Sequence, residues 1–108
     1  MEKLSPSEIE SKLLNLEKWS WDNGYIFRQY KLNSFMDVMS FSNLVSDKAE
    51  QIDHHPKIII DYDCVEFRLS THSIGGISEL DFELAKFIQE TFNAVSYTHL
   101  TLPTMLWV

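Results

Sequence analysis

The chain has few of the residues that form disulfides or interrupt helices and strands. Its 108 residues include one cysteine, three glycines and three prolines. Cys64 alone cannot form an internal disulfide, which excludes a disulfide-stapled secreted scaffold and makes a reducing cytoplasm the expected compartment. Basic residues are also scarce, at 9 against 16 acidic ones, for a formal net charge of −7. Direct binding of nucleic acid is therefore not expected, because it relies on clustered Lys and Arg.

Long apolar runs are missing as well. No stretch approaches the roughly 20 apolar residues that cross a bilayer, and the N-terminus lacks the basic start and apolar stretch of a signal peptide. We expect a soluble, cytoplasmic protein with no membrane partner. A chain of this length buries about two thirds of the surface that it exposes when unfolded, so one domain with an ordinary hydrophobic core is feasible.

Charge is absent from one end of the chain. All charged residues lie between Glu2 and Glu90, and the last fourteen residues, 95–108, contain none. This segment fits an apolar strand broken by Pro103, or a tail that docks on a partner. A third explanation is favoured, because residues 96–104 closely resemble translated sequencing-adapter read-through at the ends of reading frames from environmental DNA. We therefore expect a domain over residues 1–94 and a non-native, uncharged tail over residues 95–108.

Local signals in the first third of the chain predict a helix and a hairpin. Ser5, Pro6 and Glu8 have the spacing of a capping box at a helix start. Asn23-Gly24, between aromatic and β-branched residues, predicts a tight turn joining two strands within residues 19–32.

The same signals recur further along. Asn33 or Ser34 can cap a second helix, which should stop before Pro56 because a residue that precedes proline avoids the helical region. A second hairpin follows, in which Ile59 and Ile60 are expected to be buried, and a second capping box opens a third helix near residue 79 that should end near residue 93. The helical stripe predicted for the second helix is Phe35, Val38, Met39, Val45, Ala49 and Ile52.

The predicted order is helix, two strands, helix, two strands, helix. A single hairpin cannot bury its apolar face alone, so the economical arrangement is a four-stranded antiparallel sheet with the three helices packed on one face. The expected fold class is a two-layer α+β domain.

Three histidines, His54, His55 and His72, lie at the ends of predicted elements. Imidazole is the side chain whose ordinary pKa lies near neutrality, so a group of them points to proton transfer. Carboxylates that could orient them are close in sequence: Glu50, Asp53 and Asp81.

Other interpretations remain open for these residues. His-Pro also simply ends a helix, and Asp81 is also a capping partner. A metal site is weakly indicated, because neither a His-Glu-x-x-His motif nor paired cysteines occur. Cys64 lacks a predicted helix N-terminus that would lower its thiol pKa, and Gly75-Gly76 matches no phosphate-binding loop.

A family resemblance narrows these alternatives. Glu50-x-x-x-His54-His55-Pro56, followed by Thr71-His72-x-x-Gly75-Gly76 and Asp81, resembles the signature of the pterin-4a-carbinolamine dehydratases. The resemblance runs from about residue 13 to residue 92. The family has the helix and strand order predicted above, and it forms dimers by pairing sheets across subunits, often assembling further into tetramers.

The resemblance implies dehydration of 4a-hydroxytetrahydropterin, the adduct left by an aromatic amino acid hydroxylase, to quinonoid dihydropterin. The pterin is the substrate, and no metal or other cofactor is required. His54 and His72 are the implied proton-transfer groups, and His55 is implied in binding or orientation. The carboxylates would bind substrate or orient these histidines, with Glu50 holding a histidine and Asp81 steadying the loop of His72. Asp53 belongs to the same predicted set.

One position differs from the family pattern, and relatives with the same fold have a second, non-catalytic function. Family members often carry an aromatic residue where this chain has Ile58, so a ring contact to the pterin is in question. Relatives of the fold also act as a dimerisation cofactor of a transcription factor or as an enzyme assembly chaperone. A homodimer or homotetramer is expected under either function.

Overall fold

The computed structural model describes residues 2–22 and 24–101, with their side chains as far as residue 96. Helices and strands follow one another in the predicted order, which confirms the α+β fold class. The elements are α1 (Pro6–Leu13), β1 (Ser20–Asp22), β2 (Tyr25–Lys31), α2 (Phe35–Ile52), β3 (Lys57–Asp61), β4 (Cys64–Leu69), a 3-10 turn (His72–Ile74) and α3 (Glu79–Thr101).

The four strands form one antiparallel sheet in the order β1-β2-β4-β3. Along β4, Val65, Phe67 and Leu69 are buried, while the residues between them are partly exposed. The buried side chains face the three helices, since successive residues of a strand point to opposite faces. The opposite face of the sheet, which carries Glu66, Arg68 and Ser70, is called the polar face below.

Aromatic rings fill the centre of the core. The ring centroids of Tyr30 and Phe41 lie 5.3 Å apart, and those of Phe41 and Phe67 lie 5.4 Å apart. The Tyr30 hydroxyl accepts a hydrogen bond from Trp19 Nε1 at 3.1 Å and donates one to Gln89 Oε1 at 2.9 Å. Burial raises the pKa of Tyr30 to about 12, because the core disfavours the charged phenolate.

The predicted helix starts are confirmed by their hydrogen bonds. The Glu8 backbone N–H donates to Ser5 Oγ at 3.2 Å, and the Ser5 N–H donates to Glu8 Oε1 at 2.8 Å. Ser34 caps α2 by accepting from the Asp37 N–H at 3.1 Å. Gly24, with φ of 92°, supplies the positive dihedral that the hairpin turn needs.

Two predictions about burial are wrong. Ile59 and Ile60 are 37% and 36% exposed, because β3 is an edge strand of the sheet. Phe35 is 43% exposed at the first position of α2, and Phe41, which the predicted stripe omitted, is fully buried. Burial here is decided by sheet order and helix docking, neither of which a local pattern contains.

The third helix is longer than predicted. It extends from residue 79 to residue 101 rather than ending near residue 93, because neither glycine nor proline interrupts residues 77–102. Pro103 and the rest of residues 102–108 lie outside the described residues. No helix in the described part of the chain is both long and apolar enough to cross a bilayer.

Candidate active site

The end of α2 directs His54 into the protein. Asp53 adopts the left-handed conformation, with φ of 53°, and the His54 backbone N–H donates to the Ala49 carbonyl at 3.0 Å. The His54 ring then reaches Asp81, with 2.5 Å between Nε2 and Oδ1. The His54 side chain is 11% exposed and the Asp81 side chain is fully buried, so this contact is held within the fold.

The Asp81 carboxylate joins three parts of the chain. Its Oδ2 atom accepts hydrogen bonds from Thr71 Oγ1 at 2.8 Å and from the Ser78 backbone N–H at 2.9 Å. The hydroxyls of Thr71 and Ser78 also lie 2.7 Å apart. Because Thr71 immediately precedes His72, Asp81 connects the end of α2 to the loop that carries the third histidine.

His55 points to a different carboxylate. Its Nε2 atom lies 2.6 Å from Glu50 Oε1, one turn back on α2. The side chains of His55 and Glu50 are 55% and 77% exposed. The two adjacent histidines therefore have separate partners, one within the fold and one at the surface.

His72 begins the 3-10 turn, which is closed at its base by backbone hydrogen bonds. The Thr71 N–H donates to the Gly76 carbonyl at 2.7 Å, and the Gly75 N–H donates to the His72 carbonyl at 3.1 Å. Gly75 has φ of 64°, a conformation that glycine adopts without strain. The imidazole is exposed and lies on a short, tightly hydrogen-bonded loop.

His55 and His72 meet at a cleft of about 210 Å³. The structure thus brings two of the predicted histidines to one cleft and places His54 against Asp81. Glu50 contacts His55, whereas the Asp53 side chain forms no hydrogen bond or ion pair with any described residue. The lining residues of the cleft are Tyr25, His55, Lys57, Arg68, Ser70 and His72.

Four of these lining residues, Tyr25, Lys57, Arg68 and Ser70, were missed from the sequence. The Arg68 guanidinium lies 5.1 Å from the centre of the Tyr25 ring and donates a hydrogen bond from Nε to Glu66, which raises the pKa of Arg68. Lys57 enters the cleft from β3. The sequence offered one signal for Arg68: apolar and polar residues alternate along β4, and this alternation places Arg68 on the polar face. Ile58, where relatives often have an aromatic residue, packs against the core instead.

The arrangement can exchange protons with a small ligand. Two imidazoles line the cleft. The rings of His54 and His55 each have a carboxylate oxygen within 2.6 Å of Nε2. Such pairs orient a ring and favour one tautomer. Within the described residues, no group of three or more His, Cys, Asp or Glu side chains is placed to hold a metal ion.

The fold and the site together define a class: a small two-layer α+β domain with a histidine-lined cleft at one end of its sheet. A crystal structure described as a transcriptional coactivator/pterin dehydratase from Brucella melitensis has this fold. It superposes with a TM-score of 0.79 at 32% identity, over 87% of this chain and 98% of that one. The chain belongs to the pterin 4 alpha carbinolamine dehydratase family, whose model matches residues 2–91.

Relatives from distant organisms support this membership. A protein of Sulfolobus acidocaldarius, provisionally named a pterin-4-alpha-carbinolamine dehydratase, is 39% identical over 82% of this chain and 97% of its own length. One from Acidobacterium capsulatum with the same provisional name is 40% identical over 82% and 97%. A pterin dehydratase-like RuBisCO assembly factor of the alpha-carboxysome shares the fold, with a TM-score of 0.57 at 15% identity over 68% of this chain and 84% of that one.

Proposed function

We propose that the protein dehydrates pterin-4a-carbinolamine to quinonoid dihydropterin by general acid and base catalysis. The observation that carries the proposal is the meeting of His55 and His72 at one cleft, with His54 paired to the buried Asp81 behind it. Family membership supplies the substrate class. An aromatic amino acid hydroxylase would produce this substrate, and the reaction would return its pterin towards the reduced cofactor.

The reaction requires two proton transfers. The bond from C4a to the hydroxyl oxygen breaks, and an acid donates a proton so that water leaves. A base removes the proton of N5, and the electron pair of that N–H bond forms the double bond between N5 and C4a. Neither step changes the oxidation state of the protein. An acid and a base of this kind each contribute about 10² to 10⁴-fold to the rate.

His55 and His72 are the residues proposed to touch the substrate. Both line the cleft, and both are exposed enough for a ligand to reach. Glu50 orients the ring of His55 through its 2.6 Å contact. His54 is proposed as a positioning histidine, because its Nε2 atom is held by Asp81 and its side chain is nearly buried. Asp81 positions His54 and the loop of His72 together.

Stopped-flow absorbance of carbinolamine decay tests the proposal directly. The full chain should accelerate the decay above the rate in buffer, and the rate should depend on a group that titrates between about pH 5 and 8. Decay no faster than in buffer would refute the proposal. A flat pH profile would remove histidine as the acid or base.

A second candidate function is a non-catalytic dimerisation or assembly role, because the Brucella relative is described as a transcriptional coactivator as well as a pterin dehydratase. Exposed apolar side chains on α2, at Phe35, Met36 and Leu44, could contact a partner. Self-association is also proposed, through the edge strand β3 with its exposed isoleucines. Sedimentation analysis of the full chain would measure the oligomer. Substitution of Met36 and Leu44 by Ser should leave dehydration intact and impair only an assembly role.

A further inference from the structure

Two cations lie directly opposite each other at the cleft. Lys57 on β3 is the register partner of Arg68 on β4, and both residues line the cleft with His55 and His72. Like charges placed directly opposite on neighbouring antiparallel strands destabilise a sheet. Violations of a local rule of this kind tend to occur at functional sites. An anionic ligand at this point would offset the part of the repulsion that the ion pair of Arg68 with Glu66 leaves.

The carboxylates near this pair contact Arg68 and leave Lys57 without an ion pair among the described residues. Glu66 accepts a hydrogen bond from Arg68 Nε, and Asp22 is a weaker electrostatic neighbour of the same guanidinium. Lys57 has no ion pair with any described residue. None of the six residues that line the cleft is acidic. An anion at the rim would face the Lys57 ammonium and the remaining N–H groups of Arg68.

The size of the cleft limits how much of a substrate it can enclose. Its volume of about 210 Å³ is below the usual range for ligand pockets, about 300 to 1,000 Å³. A cleft of this size takes one ring system and leaves a ring substituent at the rim. Because the histidines are proposed to contact the reacting ring, Lys57 and Arg68 are the groups of this cleft that remain to contact a charged substituent.

We propose that the protein prefers a pterin whose side chain ends in an anion, a phosphate or a carboxylate, and that Lys57 and Arg68 recognise that anion. This inference rests on the proposed dehydration and adds its substrate class. Charge-assisted hydrogen bonds from the guanidinium and the ammonium supply the preference.

A matched pair of substrates tests the preference. The carbinolamine of 6-hydroxymethyltetrahydropterin and that of its phosphate monoester differ only in the anion. A carboxymethyl analogue separates recognition of phosphate from recognition of carboxylate. The full chain should show a kcat/KM about tenfold higher for at least one anionic substrate, equivalent to about 1.4 kcal/mol. Higher salt should reduce this ratio, because the Debye length falls from about 10 Å at 0.1 M to about 3 Å at 1 M.

Variants assign the preference to the two cations. The ratio of the two kcat/KM values should fall towards one in Lys57→Gln and in Arg68→Gln, and Arg68→Lys should restore part of it. Lys86→Gln, on α3 outside the cleft, is the matched loss of one positive charge and should keep the ratio of the unmodified protein. Arg68→Gln could fail to fold after losing its contact with Glu66. In that case Lys57→Gln, at an exposed position, provides the test by itself.

A binding measurement separates this inference from the dehydration. The oxidised, fluorescent 6-hydroxymethylpterin and its phosphate can be titrated without turnover. Tighter binding of the phosphate, lost in Lys57→Gln, would support the inference even if the protein proved to have no dehydratase activity. Equal kcat/KM values for the neutral carbinolamine and both anionic ones would overturn the inference while leaving the dehydration untouched. Equal dissociation constants for the two oxidised ligands would exclude recognition of a phosphate.

Discussion

Nε2 of His54 lies 2.5 Å from Oδ1 of Asp81, a fully buried carboxylate at the start of α3, 27 residues further along the chain. Both oxygens of that carboxylate are used, since Oδ2 accepts from Thr71 and from the Ser78 N–H. One side chain therefore fixes both a histidine at the end of α2 and the base of the loop that carries His72.

Asp81→Asn should destabilise the protein and slow dehydration. An amide keeps one acceptor but turns an N–H₂ group towards a hydrogen-bond donor, so at least one buried contact is lost. The free energy of unfolding should fall by about 2 to 4 kcal/mol, measured by urea denaturation. Asp47→Asn, at an exposed position of α2, should change it by less than about 0.5 kcal/mol. A variant as stable as the unmodified protein would show that the hydrogen bonds of Asp81 do not contribute to the free energy of unfolding.

His72→Ala and His54→Ala should both lose activity, but for different reasons. His72 is exposed on its loop, so His72→Ala should lower kcat by about 10² to 10⁴-fold with little change in thermal stability. His54 is nearly buried against Asp81, so His54→Ala should lower both activity and stability, because it leaves a buried carboxylate without one partner. Stopped-flow rates and thermal unfolding of the same preparations separate the two effects. Full activity in His72→Ala would remove that residue from the proposed mechanism.

Stability should fall at high pH because of Tyr30. Its pKa is raised to about 12 in the folded protein and is about 10 in an unfolded chain, so the unfolded state loses its proton first as pH rises. The contribution of protonated Tyr30 to the free energy of unfolding is complete below about pH 10. It is lost between about pH 10 and 12, a change of about 2 to 3 kcal/mol. Urea denaturation across this range should show a shallower decline in Tyr30→Phe than in Tyr62→Phe, whose tyrosine is 67% exposed. Parallel curves would contradict the assignment.

Gly76 should tolerate a side chain only if Lys3 gives way. A Cβ atom at Gly76 would lie 2.7 Å from Cε and 3.0 Å from Cγ of Lys3. Gly76→Ala should cost about 1 kcal/mol, and the cost should largely vanish when Lys3 is replaced by Ser. A double-mutant cycle measures this coupling. Additive effects of the two changes would show that the contact is unimportant.

A chain ending at Ala94 should keep both its fold and its activity. Residues 95 and 96 are half-buried at the distal part of α3, so their removal should cost about 1 kcal/mol. Thermal unfolding and carbinolamine decay of the shortened chain measure this. A marked loss of stability or rate would show that the uncharged tail belongs to the functional protein.

Much of the fold could be predicted because its boundaries have local causes. The side chains of Ser5 and Ser34 bond to backbone groups within three residues, and Gly24 has a backbone conformation that suits glycine. Hydrophobic alternation placed β4 in the sheet with the correct buried face. The histidines of the site came from motif spacing and family resemblance, and the contact between His54 and Asp81 came only from the structure.

The remainder depends on strand register and sheet order. Tyr25, Lys57 and Arg68 come from three different strands, so nothing in their local sequence shows that they share a cleft. Ile59 and Ile60 look buried in the sequence and are exposed because β3 is at the edge. The separate partners of His54 and His55 follow from the left-handed conformation of Asp53, which a His-Pro motif does not reveal.

The carboxylate of Asp81 also links the proposed catalysis to the order in which the chain folds. Its partners come from the end of α2, the residue after β4 and the start of α3, so the contact between His54 and Asp81 closes a long loop of chain. Closure of long loops is slow and comes after local helix formation. A nascent chain that has made its first two helices would bind no substrate productively. During refolding, dehydration should recover only after the end of α2, the residue after β4 and the start of α3 have come together.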